Sequence, residues 1–194
     1  MRKLRIIEHV SLDGVMQVSA DDGDAFPYGN WTEPYRTPEG RDAIMAAHGE
    51  RCDLLLGRRT YDAWSGWWPK APSSPIADLL NGATKYVATH RPESLAWGPA
   101  RAIGPDIVDG IRRIKSEDGP DVVLSGSSTL TSTVLEHGLV DEVVLAVYPA
   151  LLGTVKRFFA EGTPARAFAL VDTKTMPTGI ILSTYKVLGP LKTG

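Results

Sequence analysis

The stretch VVLSGSSTLTSTVLEHGLVDEVVLAVYP (residues 122–149) places small residues between an apolar run and a helical pattern. The first apolar run breaks at residues 125–128, and the helical pattern after it ends at Gly138. A second apolar run follows and stops at Pro149. The order strand, helix, strand is typical of a parallel sheet. Small residues at the start of the helix suit a phosphate-binding turn, although they also suit a tight turn without a ligand.

Length and composition predict one ordinary globular domain over residues 1–194, with its core at about residues 4–188. The chain is 43% hydrophobic and its formal net charge is −2, so neither nucleic acid nor a membrane is expected as a partner.

The single cysteine, Cys52, excludes an internal disulfide framework and a cysteine-rich zinc site, and no metal-binding pattern is evident. Its apolar context predicts an inert thiol. The sequence shows no signal peptide or membrane-spanning run, so a cytoplasmic protein is expected.

Strand and helix patterns alternate along the chain until about residue 140. Strands are predicted at LRIIEHVSL, CDLLLG, TKYVATH, ARAIG and DVVLS, and helices at EGRDAIMAAHGER, RRTYDAWSGWW, SPIADLLNG, DIVDGIRRIKSE and STLTSTVLEHG. Beyond residue 140 strands follow one another, and a turn at residues 177–179 predicts a C-terminal hairpin. The expected fold is α/β, with a mostly parallel sheet and an antiparallel edge. Residues 16–40 lack periodicity, and so long a loop in a compact domain is usually functional.

Three predicted strand-to-helix junctions carry polar or small residues, namely GRRTY after CDLLL, THR after TKYVA, and GSSTL after DVVLS. Each of them alone is also explained by ordinary caps and solvated charges. In a parallel sheet, however, all such junctions lie at the carboxyl edge, where ligands bind. A helix N-terminus adds free N–H donors and partial positive charge. Together they predict a site for a ligand with several phosphates, although the Rossmann and P-loop fingerprints are both absent.

The order of SLDG, LLLGRRTY, YVATHR, VVLSGSSTL…GLVDEVVLAVYPALLG and a final hairpin resembles the dihydrofolate reductase superfamily. The most similar branch is the reductase domain of the riboflavin-biosynthesis deaminase–reductases, and the resemblance runs from Leu4 to about Val187. It implies a dihydrofolate-reductase-like central sheet of about eight strands with helices on both faces. It also implies NADPH bound across the carboxyl edge. The deaminase signature H-x-E with P-C-x-x-C is absent, so a stand-alone reductase-like protein is expected.

The resemblance also implies which residues bind the cofactor. The three junctions supply Gly57, Arg58, Arg59, Thr60, Thr89, His90, Arg91, Ser125, Gly126, Ser127, Ser128, Thr129 and Leu130. Arg59 and Arg91 are expected to select NADPH over NADH, because guanidinium groups bind a ribose phosphate well and no acidic residue closes the strand KYVA. One departure is Ser127, since the family often has a second glycine there.

The substrate side is less well determined by the sequence. The candidates for substrate binding are Asp13, Trp31, Asp42 and Trp68. Asp13 and Asp42 are also the catalytic candidates, although Asp13 fits a turn residue equally well. Asp42 is the nearest match to the pterin-binding carboxylate of dihydrofolate reductases, but its register is shifted by about one residue and Arg41 lies beside it. His9 and His48 are expected to be structural.

The function implied by the resemblance is an NADPH-dependent reductase of a heterocyclic small molecule. The nearest activity is 5-amino-6-(5-phosphoribosylamino)uracil reductase of riboflavin biosynthesis. A dihydrofolate or pteridine reductase is the alternative, and a nucleotide-binding module without catalysis is the alternative from another class. A homodimer is also predicted, because the apolar late strands leave a sheet edge that requires a cover.

Overall fold

The computed structural model describes residues 1–17, 26–153 and 156–192. Its centre is an eight-stranded sheet in the order β4-β3-β2-β5-β1-β6-β8-β7. The strands are β1 (Leu4–Val10), β2 (Asp53–Gly57), β3 (Lys85–Ala88), β4 (Ala100–Ala102), β5 (Val122–Leu124), β6 (Glu142–Val147), β7 (Arg166–Thr175) and β8 (Ile181–Pro190). Strands β1 to β6 are mutually parallel. Strand β8 runs antiparallel to both β6 and β7. The predicted α/β fold with a C-terminal hairpin is therefore confirmed.

The helices begin and end where local sequence signals place them. They are α1 (Pro38–His48), α2 (Arg58–Trp67), α3 (Pro75–Gly82), α4 (Ile107–Ser116) and α5 (Ser128–Glu136). Thr37, Ser74 and Asp106 cap α1, α3 and α4 by accepting a hydrogen bond from a first-turn N–H group. After α2 the chain forms a short 3-10 helix, Trp68–Lys70. Within the predicted 16–40 loop, residues 18–25 lie outside the described residues, and Glu33–Tyr35 form another 3-10 helix.

Apolar side chains cover both faces of the sheet, as strand β2 shows. Its Leu55 belongs to a core with residues of α4 and α5, whereas its Leu54 and Leu56 belong to a core with residues of α2 and α3. All five residues of β2 are buried, which explains why the sequence there lacks polar alternation. Cys52, beside this strand, is buried, and burial raises the pKa of its thiol to about 11. Among the described residues, no helix is both long and apolar enough to cross a membrane.

Candidate functional site at the carboxyl edge of the sheet

The three junctions predicted from the sequence follow strands β3, β2 and β5, which are neighbours in the sheet. Gly57 pairs with Ala88 across β2 and β3, and Leu55 pairs with Leu124 across β2 and β5. Because the strands are parallel, the segments after them emerge at the same edge. The prediction that the three junctions share one edge is confirmed.

The junctions after β2 and β5 interlock through two glycines. A Cβ atom at Gly57 would lie 2.5 Å from Ser127 Oγ, and one at Gly126 would lie 2.6 Å from Thr60 Oγ1. Real Cβ atoms do not approach other heavy atoms so closely, so each glycine is required by its neighbour in the other junction. Gly126 was expected to be small so that a ligand could approach. The structure gives a different reason, because its missing side chain would meet Thr60.

The turn between β5 and α5 has an unusual backbone. Gly126 has φ +67°, and Ser127 has φ +51°. Positive φ is disfavoured for serine, and such strained residues cluster at functional sites. The Ser127 hydroxyl accepts a hydrogen bond from the Leu130 N–H at 3.4 Å, which caps α5 while the Leu130 side chain packs in the core. Serine therefore adopts a left-handed backbone conformation that favours glycine.

The carboxylate of Glu8 lies beneath this turn, and sequence analysis missed it. Glu8 Oε2 accepts a hydrogen bond from the Gly126 N–H at 2.7 Å, and Oε1 accepts one from the His9 N–H at 3.1 Å. Burial raises the pKa of Glu8 to about 7, against the lowering effect of these two N–H groups. The available signal was period-two alternation, because Glu8 follows Leu4 and Ile6 on a core-facing side of β1.

The start of α5 still offers hydrogen-bond donors after Gly126 has been paired. The N–H groups of Ser127, Ser128 and Thr129 make no hydrogen bond within the described part of the chain. They precede the first helical hydrogen bond, from the Thr131 N–H to the Ser127 carbonyl. These donors, at the positive end of the helix dipole, suit a phosphate.

Arg58 is not presented to a phosphate in this structure. Its guanidinium donates to Asp62 at 2.9 Å, to Ser94 Oγ at 2.7 Å and to the Arg91 carbonyl at 3.1 Å. It also lies 3.4 Å from Thr89 Oγ1. Arg58 thus ties α2 to the segment after β3. Asp62 lies four residues after Arg58 in α2, and this i,i+4 spacing of opposite charges was a local signal that the sequence analysis did not use.

Arg59, His90 and Arg91 are exposed at the same edge. Arg59 makes no hydrogen bond or ion pair with any residue that the structure describes. Arg91 forms an exposed ion pair with Asp62, 3.4 Å between Nη2 and Oδ2. Of the two arginines expected to select the cofactor, Arg59 has its full hydrogen-bonding capacity available, whereas Arg91 shares Asp62 with Arg58.

The carboxylate of Asp13 connects the segment after β1 to the segment after β6 by hydrogen bonds within the protein. It accepts hydrogen bonds from Ser11 Oγ at 2.6 Å, from the Gly153 N–H at 2.8 Å and from the Leu152 N–H at 3.3 Å. The Ser11 hydrogen bond is the main cause that lowers the pKa of Asp13. The geometry favours the turn interpretation of Asp13 that the sequence left open.

Trp31 belongs to an aromatic cluster at the end of β6. Its ring lies edge-on to Tyr148 at 5.2 Å, and its indole N–H donates to the Gln17 carbonyl at 2.7 Å. Tyr148 Oη lies 2.8 Å from His9 Nδ1. Burial, with smaller effects of nearby cations, lowers the pKa of His9 to about 4, so this imidazole is neutral near pH 7. His9 is the neighbour of Glu8 on β1 and points to the other face.

The two remaining substrate candidates are not part of this aromatic cluster. Asp42 is an exposed residue of α1 without a hydrogen-bond partner among the described residues. Trp68 packs edge-on against Trp64 at 5.9 Å and joins the core beneath α2 and α3. The structure does not bring Asp13, Trp31, Asp42 and Trp68 together as one pocket. His, Cys, Asp and Glu side chains form no group of three suited to a metal among the residues described.

The family described as the RibD C-terminal domain matches residues 2–182. The chain belongs to this family. The match covers β1 through β7 and all three junctions, and it reaches the start of β8. The sequence-based resemblance to the reductase domain of the deaminase–reductases is confirmed.

The chain is also similar to a further protein in sequence and to solved structures in fold. The uncharacterized protein YyaP of Bacillus subtilis is 28% identical over 136 residues, which are 68% of this chain and 72% of YyaP. A protein of Shewanella sp. PV-4, whose name connects it with riboflavin biosynthesis, has a similar fold, with TM-score 0.72, 20% identity and coverage of 95% and 98% of the two chains. The deaminase/5-amino-6-(5-phosphoribosylamino)uracil reductase of Thermotoga maritima has TM-score 0.63 and 14% identity. The similarity covers 96% of this chain and 56% of the Thermotoga protein.

Proposed function

We propose that this protein is an NADPH-dependent reductase of a heterocyclic small molecule. The observation that carries the proposal is the convergence of three junctions at one sheet edge in a member of the RibD C-terminal domain family. A similar structure bears the name of 5-amino-6-(5-phosphoribosylamino)uracil reductase, so this pyrimidine is the first substrate to test.

The residues at this edge fit a dinucleotide phosphate. The N–H groups of Ser127, Ser128 and Thr129 are available donors for a pyrophosphate, and Arg59 is an available cation for the ribose phosphate. When bound, the nicotinamide would supply a hydride. The interlocked glycines at positions 57 and 126 keep the two junctions close together, so the donors of α5 are held in place before the ligand arrives.

The test has two steps that separate binding from catalysis. NADPH is first titrated into the protein and followed by its fluorescence, and NADPH oxidation is then measured with the aminouracil and with dihydrofolate or pterins. Oxidation with the aminouracil supports the proposal. Oxidation with dihydrofolate alone would support the pteridine alternative, binding without turnover of any heterocycle would support a nucleotide-binding module, and absence of NADPH binding would contradict the proposal.

We also propose that the protein pairs as a homodimer through the C-terminal hairpin. Large apolar side chains are exposed there, and they include Leu170, Val171, Leu188 and Leu191. Strand β7 is also an edge of the sheet, with one side unpaired by any described strand. Such an edge usually requires a cover. Sedimentation that shows a dimer in the parent and a monomer in Leu170→Asp would support this arrangement, and a monomeric parent at micromolar concentration would contradict it.

A further inference from the structure

Glu8 is a buried carboxylate at the ligand edge, and no cation among the described residues pairs with it. Its side chain makes no ion pair among the described residues, and the residue is only 7% exposed. An isolated ionised carboxylate is costly to bury, so the neutral form is favoured. Burial accordingly raises the pKa of Glu8 to about 7, which lets its charge change near neutral pH.

The position of Glu8 connects its charge to the turn that starts α5. Its Oε2 atom holds the Gly126 N–H at 2.7 Å, and the next three N–H groups in the chain are the available donors. The turn cannot easily move away from Glu8, because it is packed against the junction after β2. Gly126 lies against Thr60, and Ser127 lies against Gly57. An anion bound to those donors therefore experiences the charge of Glu8 at close range.

The groups that surround Glu8 do not neutralise it. On β6 it pairs with the apolar Leu145, and on the β5 side it faces the uncharged turn of residues 125–127. His9 lies next to it on β1 with its ring on the opposite face. Lys156 and Arg157 cross the carboxyl end of β1, where the Lys156 carbonyl accepts from the Met16 N–H and Arg157 pairs with Val15. No ion pair joins Glu8 to a lysine or an arginine among the described residues, and no cation contributes to the shift of its pKa.

We propose that Glu8 is a proton-linked positioning residue, which is neutral when a polyphosphate occupies the turn and ionises as the turn empties. The inference rests on the proposed binding of a nicotinamide dinucleotide at this edge. An ionised Glu8 repels the bound phosphates, whereas a neutral carboxyl keeps an acceptor for the Gly126 N–H and adds an O–H donor. Binding above neutral pH is therefore accompanied by proton uptake from solvent.

The decisive measurement is the dissociation constant of NADH between pH 6 and pH 8.5. NADH is the cleaner probe, because the ribose phosphate of NADPH itself titrates near pH ~6. In the parent, affinity should fall roughly 10-fold over this range, which corresponds to a pKa of Glu8 raised by about one unit in the complex. Glu8→Gln should bind NADH with an affinity close to that of the parent at pH 6 and lose the pH dependence, because the amide keeps the acceptor without the charge.

Two further variants separate charge from structure. Glu8→Ala removes the acceptor, so it should bind weakly at every pH. Glu50→Gln changes an exposed acid and should keep the pH profile of the parent. Calorimetry in two buffers with different ionisation enthalpies should show proton uptake at pH 8 in the parent and none in Glu8→Gln.

The outcomes distinguish this inference from the proposed function. NADH binding that is independent of pH in the parent overturns the role of Glu8 and leaves the dinucleotide site intact. The same conclusion follows if Glu8→Gln keeps the pH profile of the parent. Failure of the folded parent to bind either NADH or NADPH at any pH contradicts the proposed function itself.

Discussion

The two ends of the parallel strands handle charge in opposite ways. At the amino ends, Arg2 forms a buried ion pair with Asp53 in β2, and the buried ammonium of Lys115 forms one with Asp141 before β6. At the carboxyl ends, Glu8 is buried without a cation, and Arg59 is exposed without an acidic partner among the described residues. The buried charges at the amino edge are thus paired within the protein, whereas Glu8 and Arg59 at the carboxyl edge remain available to interact with a ligand.

The difference shows how one sheet separates stability from ligand binding. A buried ion pair is destabilising to break, because the remaining charge stays in an apolar environment. An exposed arginine without a partner contributes little to stability but remains available to an anionic ligand. Variants at the amino edge should therefore affect mainly the free energy of unfolding, and variants at the carboxyl edge mainly cofactor affinity.

The largest expected effect is that of Arg2→Met at the amino edge. The substitution leaves Asp53 buried without its cation and also removes a hydrogen bond to Tyr86, so unfolding should become about 3–5 kcal/mol easier. Chemical denaturation measures the change. Arg51→Met removes an exposed charge beside the same strand and should change stability by less than ~0.5 kcal/mol. Equal changes in the free energy of unfolding in the two variants would show that the buried ion pair contributes no more to stability than an exposed charge does.

Gly57→Ala tests the contact between the two interlocked junctions. The new Cβ atom would meet Ser127 Oγ at 2.5 Å and Ser127 Cβ at 2.9 Å, so we expect a loss of about 1–3 kcal/mol of stability and weaker NADPH binding. Gly57 has φ −70°, which alanine adopts without strain. The matched control is Gly66→Ala in α2, where no atom lies within 4 Å and stability should rise by about 0.5–1 kcal/mol. Parental stability and affinity in Gly57→Ala would contradict the interlock.

Arg59→Ala tests whether the carboxyl edge selects between cofactors. We expect NADPH affinity to fall about 10-fold while NADH affinity and stability stay nearly unchanged, because the arginine is proposed to contact only the additional phosphate. Fluorescence titration with both cofactors measures the ratio. Arg41→Ala in α1 is an exposed control that should change neither affinity. A parent with equal affinity for both cofactors, or an Arg59→Ala protein that loses both equally, would contradict this assignment.

The smallest expected effect is that of Asp62→Asn. Asp62 pairs with both Arg58 and Arg91, so its removal should release positive charge and strengthen NADPH binding by about 2- to 5-fold, with little change for NADH. The gain should shrink at high salt, because these groups are exposed. If Asp62→Asn instead weakens the binding of both cofactors, the main role of Asp62 is to position the segment after β3.

The local sequence was sufficient for most of the fold. The apolar runs and helical patterns predicted every strand and α-helix that the structure describes in the alternating part. The three junctions were predicted to share an edge, because parallel strands place equivalent ends together. Such features depend on neighbours in the chain, so they are visible in the sequence.

The site itself required contacts between distant segments. Glu8 meets Gly126 from 118 residues away, and it was overlooked because an acid in an apolar strand has no local signal for its partner. The hydrogen bonds of Arg58 to Ser94 and to the Arg91 carbonyl, and those of Asp13 to Gly153, likewise give predicted ligand residues roles within the protein.

The sequence alone thus determined the order of strands and helices and the chemical character of the carboxyl edge, because backbone preference and apolar periodicity act over a few residues. Only the tertiary structure decided which polar groups at that edge remain available to a ligand. A donor or a charge that already makes a hydrogen bond or an ion pair within the protein is not available to a ligand, and the fold decides which groups are close enough to pair. Among the described residues, this leaves Arg59 and the first amides of α5 available, whereas Arg58, Asp13 and the Gly126 N–H are already engaged.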